Sequence, residues 1–83
     1  MNVKTALDYS NELTRLEAMI ADTKRTLKRV EDAETLVDVQ DPFSTEGMLT
    51  DALSYAALDL RKNLEYLELR YAEIKEKLSG SFF

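Results

Sequence analysis

From Ala6 the apolar residues of this 83-residue chain recur by alternating steps of three and four: Ala6, Tyr9, Leu13, Leu16, Ile20, Thr23, Leu27 and Val30, with Thr23 the one polar member. An α-helix turns once in about 3.6 residues, so the series keeps to one face, and a repeat near 3.5 is the a/d seam of a coiled coil. The seam holds for about four heptads, with Ala33, Leu36 and Val37 as its extension. The opposite face carries Lys4, Asp8, Asn11, Arg15, Asp22, Arg25 and Arg29 and belongs in water.

A second stripe runs through Leu49, Leu53, Ala56, Leu60, Leu64, Leu67, Tyr71, Ile74 and Leu78, again within one sector of a helix. It is the natural cover for the first. Between residues 35 and 46 the pattern breaks, because Pro42 biases Asp41 away from helical backbone and Ser44, Thr45 and Gly47 are turn or cap types. Two restarts compete: Asp41 as cap with Pro42 in the first helical position, or Thr45 as cap before Glu46. The second is preferred, since glycine costs less in a first turn than in a helix interior. A connection this short joins antiparallel neighbours.

The chain is therefore read as one all-α domain over 1–83, an antiparallel helical hairpin of two long helices. Helix one spans about 3–34, the connection about 35–45, helix two about 46–79, and a short tail 80–83. Asn2 or Thr5 caps helix one, Thr5 and Asp8 resembling a capping box. Gly80 is the expected stop of helix two. Val37, Val39 and Phe43 make the connection apolar enough to tuck over the end of the bundle, and Phe82 and Phe83 either dock or fray.

Helix two has a second apolar side. Tyr55, Leu58, Tyr66 and Leu69, with Lys62 among them, point roughly opposite its seam, where a lone hairpin would leave them in water. Tyrosine is enriched at the centres of protein interfaces, and helix one has no matching stripe. These five residues are the expected partner or dimer interface. Two hairpins joined there make a homodimeric four-helix bundle with two-fold symmetry.

Composition narrows the chemistry. The chain has no cysteine and no histidine, which removes disulfides, thiolate ligands and nucleophiles, the usual proton shuttle near neutral pH and the commonest transition-metal ligand. Four-helix di-iron sites need a Glu-x-x-His repeat that is absent here. Glu12, Glu17, Glu65, Glu68, Glu73 and Glu76 all lie on helices, and only Glu34, late in the first seam, points inward. No enzyme activity, cofactor or metal is expected. Tyr9 and Tyr71 read as core aromatics with hydroxyls at the rim, and the Thr23 hydroxyl as bonded back to its own helix at the Met19 carbonyl or one beside it.

A net charge of -5 disfavours diffuse binding to nucleic acid or an anionic membrane. Lys24, Arg25, Lys28 and Arg29 form the one dense basic cluster, and Glu31, Asp32 and Glu34 follow at once. In layout, a hairpin dimer resembles the Rop-type RNA-binding bundles of plasmid copy control, which implies RNA or DNA contact through such an outward basic face. The secreted Trp-x-Gly hairpins share the layout, but this chain has no tryptophan. No apolar run approaches the ~20 residues of a membrane span, and Met1-Asn2-Val3-Lys4-Thr5 lacks the apolar block of a signal peptide, so a cytoplasmic protein is expected. The favoured function is an acidic protein–protein interaction module, an adaptor, inhibitor or assembly chaperone. A nucleic-acid-binding hairpin and a structural subunit of a larger assembly are the alternatives.

Overall fold

The computed structural model describes residues 2–80 and contains two helices, α1 (Val3–Leu36) and α2 (Thr45–Gly80). They lie antiparallel: as partners climb along α1 from Glu12 through Lys24 to Glu31, their ion-pair mates on α2 descend from Arg70 through Glu68 to Arg61. The rod measures 60 × 15 × 14 Å. That length follows from helices of 34 and 36 residues rising about 1.5 Å per residue.

Asn2 caps α1, its Oδ1 accepting from the Thr5 amide at 2.8 Å, and Thr5 lies inside the helix. At the start of α2 the cap is Ser44, one residue before the expected Thr45: Ser44 Oγ accepts from the Gly47 amide at 3.2 Å and the Ser44 carbonyl from Met48 at 3.0 Å. Asp41 closes the turn that leads in. Its Oδ1 accepts from the Phe43 amide at 2.9 Å, and its carbonyl accepts from the Ser44 amide at 3.1 Å and hydroxyl at 2.6 Å.

Gly47 is buried beneath this turn. A Cβ there would lie 2.5 Å from the Pro42 carbonyl oxygen and 2.9 Å from that of Asp41, so the loop backbone occupies the space a side chain would need. Phe43 does not tuck in. It is almost fully exposed, because the turn spends its inward position on Gly47, while Val37 is half-buried. Gly80, the expected stop, is helical without a positive φ, and Phe82 and Phe83 lie outside the described residues.

All eight positions of the first seam turn inward, Leu16 buried and the others half-buried. Leu36 does not extend it and is exposed at the last turn of α1. The second seam differs from expectation at its beginning. Ala57 is 1% exposed and Thr50 half-buried, whereas Leu49 is 50% exposed. The reason is register. Counting back from Leu78 in steps of four and three passes through Ile74, Tyr71, Leu67, Leu64, Leu60, Ala57, Leu53 and Thr50, an unbroken heptad repeat, while the route through Ala56 and Leu49 breaks it. Left-handed supercoiling keeps the unbroken series against α1. The tightest packing, Leu16, Leu67 and Ile74 with Tyr9, Leu13, Ile20, Tyr71 and Leu78 around them, sits in the half of the rod away from the connection.

Candidate interaction surface

The heptad register sorts every side chain on α2. With Thr50, Ala57, Leu64, Tyr71 and Leu78 at a and Leu53, Leu60, Leu67 and Ile74 at d, position f faces directly away from α1. Tyr55, Lys62 and Leu69 are f residues, with Leu58 at b and Tyr66 at c on either side of them. The sequence-predicted stripe is thus one continuous outward band, with Tyr55 70%, Leu58 44%, Tyr66 67% and Leu69 59% exposed. On α1 the exposed large apolar side chains are Val3, Leu7, Met19 and Leu36, which occupy four different heptad positions and form no band.

The two edges of the hairpin are unlike. Along one, position e of both helices carries charge in a complementary order. Lys24 Nζ lies 3.6 Å from Glu68 Oε1 and Arg61 Nη2 3.0 Å from Glu31 Oε1, while Glu17 and Lys75 meet around Tyr71. Along the other edge, position g offers Met19, Thr26 and Ala33 on α1 facing Leu49, Ala56 and Asn63 on α2, with Arg70 and Glu12, 3.2 Å apart, closing it toward the termini. Tyr66 borders two shallow grooves on this edge, one with Met19, Thr23, Asn63 and Leu67, the other with Glu12, Leu69, Arg70 and Glu73. Met19 and Asn63 were invisible as site residues in the sequence, since only the pairing of the helices brings them beside Tyr66.

Among the described residues one titrating group departs clearly from its ordinary value. The Tyr71 hydroxyl donates to Glu17 Oε1 at 2.9 Å, and its pKa is raised above 10.0, first because ionisation would lose that bond, then through partial desolvation and the adjacent carboxylate charge. The arrangement positions a side chain and offers no acid or base near neutral pH. Glu34, the inward carboxylate, accepts from the Ser54 hydroxyl at 3.4 Å. Thr23 Oγ1 donates to the Met19 carbonyl at 2.7 Å, as expected of a hydroxyl in a seam. Among the described residues no three acidic side chains gather as a metal site would need. No described helix is long and apolar enough to cross a membrane.

Of the basic cluster, Lys24 belongs to the charged edge with Glu68, while Arg25, paired with Asp22 one turn earlier, Lys28 and Arg29 stay together, exposed on the outward face of α1 and away from the α2 band. Comparison of the chain with protein-family models, curated proteins and solved structures finds no match.

Proposed function

We propose that this chain is a small acidic interaction module whose working surface is the outward band of α2, Tyr55, Leu58, Lys62, Tyr66 and Leu69. In this role it takes up a protein helix as an adaptor, inhibitor or assembly chaperone does. The observation that carries the reading is the contrast between the two helices. Both are amphipathic, but only α2 keeps four large apolar side chains aligned on the face that its own partner cannot reach. A second copy is the simplest occupant and gives a four-helix assembly with two-fold symmetry.

Nucleic-acid binding is the weaker alternative, because Lys24 and Arg25 each already face a carboxylate and the net charge is -5. A structural subunit would use the same α2 band and differ only in copy number.

Size exclusion with light scattering tests the proposal. The parent should give a multiple of 9.5 kDa, and Leu58→Glu with Leu69→Glu should give a helical monomer, since each buried carboxylate would be desolvated without a partner. Leu64→Glu, in the seam, should instead lose helicity. A parent that stays monomeric and cooperatively folded at every concentration, or a double variant that assembles like the parent, overturns the reading.

A further inference from the structure

The outward band has an internal symmetry that a surface for an unrelated partner would not need. Its members stand seven residues before Lys62 (Tyr55), four before (Leu58), four after (Tyr66) and seven after (Leu69). Lys62 is also the middle of α2, which runs from Thr45 to Gly80. From these facts, and resting on the proposed role of this face, we infer that its occupant is the α2 of a second copy, antiparallel and related by a two-fold axis at Lys62.

Under that axis the centre of the band becomes self-complementary. Tyr55 shares a level with the second copy's Leu69 on the facing f line, so ring meets leucine there, while Leu58 and the second copy's Tyr66 share a level on opposite margins, and no two rings collide. The two Lys62 side chains sit on the axis, where alone they would repel. Asp59 and Glu65 stand three residues before and after Lys62, on the two margins of the band. Each lies about 4.5 Å along the helix from the axis, so both copies surround the lysine pair with four carboxylates. Ala52 and Ala72, ten residues out on either side, are small on both. The axis also leaves the two rods overlapping along their whole length.

The layout follows from the heptad positions. Because f lies opposite a and d, α2 is gripped on two opposite sides, and the four helices form a row, α1–α2–α2–α1, with no common core. With helix axes about 10 Å apart, the radius of gyration rises from 18.6 Å for the hairpin to about 21 Å, against about 19 Å for a square bundle. Covering the four large side chains on both copies removes roughly 1,000 Å² from water, the lower bound for a specific interface. The dimer should therefore dissociate on dilution.

The natural chain has no cysteine, so single-cysteine variants at exposed positions report geometry without background. Lys62→Cys, Tyr55→Cys and Leu69→Cys would be oxidised in a glutathione buffer, with circular dichroism confirming helicity and light scattering the mass. Lys62→Cys should link to itself. Tyr55→Cys and Leu69→Cys should each fail to self-link, because fourteen residues put the two sulfurs about 21 Å apart along the axis, yet the mixture of the two should give the mixed disulfide. A dimer in which Tyr55→Cys links to itself, or in which Lys62→Cys does not, overturns the antiparallel axis and leaves the docking role of the face standing. A parent that is monomeric throughout overturns both.

Discussion

Removing the Ile74 side chain tests the packing most directly. Ile74 is 0% exposed and the only large side chain fully buried among the described residues, in one core cluster with Leu16 and Leu67 against which Leu13, Tyr71 and Leu78 pack. Ile74→Ala deletes three carbons, about 2.4 kcal/mol of transfer free energy at ~0.8 per carbon, and the cavity left between two helices raises the loss to about 3–4 kcal/mol. A domain of this size has roughly 4–12 kcal/mol in all, small domains lying toward the lower end. At about 4–8 °C per kcal/mol, the melting temperature should fall by roughly 15–25 °C. Leu69→Ala, on the outward band, is the control. At a concentration low enough to hold the chain monomeric it should cost less than about 1 kcal/mol, and its effect should grow with concentration as the dimer is lost. Melts and urea titrations followed by far-ultraviolet circular dichroism at two concentrations read both numbers. Equal losses for Ile74→Ala and Leu69→Ala in the dilute sample would refute the assignment of inner and outer faces.

Two further outcomes follow from single contacts. Gly47→Ala should lower the melting temperature although alanine favours helix by about 1 kcal/mol over glycine, because the added Cβ meets the Pro42 and Asp41 carbonyls; a rise would mean the 41–44 turn does not rest on α2. Glu17→Ala should bring the titration of Tyr71 down toward 10.0 in an ultraviolet tyrosinate measurement, since it removes both the acceptor and its charge. With a raised folded-state pKa, the Tyr71–Glu17 bond stabilises the hairpin fully below the unfolded tyrosine value and is lost as pH rises through the folded one, so the stability difference between parent and variant should vanish in strong base; a tyrosinate curve unchanged by the substitution counts against the bond.

The heptad signal made most of the fold legible. Along α1 the alternating three-and-four steps named the eight inward positions from Ala6 to Val30, because six of them are large apolar residues. At the start of α2 the same rule needed a polar residue, Thr50, and a small one, Ala57, and hydropathy alone drew the stripe to their neighbours Leu49 and Ala56 instead. Periodicity carried backward from Leu60 contains the right answer, since a supercoil preserves the count even where the residues are weak. The Ser44 cap and the exposed Phe43 were not legible. Both depend on how the Asp41 turn closes over Gly47, and that is a matter of backbone fit between loop and helix. The outward band was legible because it shows the same periodicity half a turn away, and the edge grooves beside Tyr66 were not, because their residues come from both helices.

The charged edge explains why this hairpin has one register where its seam would allow several. Two leucine-rich seams can slide past each other by a heptad and still bury apolar surface, so burial alone discriminates poorly between such slips. On α1 the e positions read Glu17, Lys24, Glu31, and on α2, in the opposite direction, Lys75, Glu68, Arg61. The observed pairing sets opposite charges together at Lys24–Glu68 and Glu31–Arg61 and brings Glu17 to Lys75 around Tyr71. A slip of one heptad either way brings Glu17 to Glu68 and Lys24 to Arg61, or Lys24 to Lys75 and Glu31 to Glu68. Each exposed pair contributes only about 0.3–0.5 kcal/mol. Reversing several from attraction to repulsion amounts to about 2 kcal/mol, enough to favour one register roughly thirtyfold. The same device shapes what the hairpin offers outside. The e edge is engaged within the molecule, α1 faces water with charge, and the apolar band that runs along the rod is that of α2 with Tyr66 and Met19 at its margin, apart from Leu36, Phe43, Met48 and Leu49, which are exposed at the connection end.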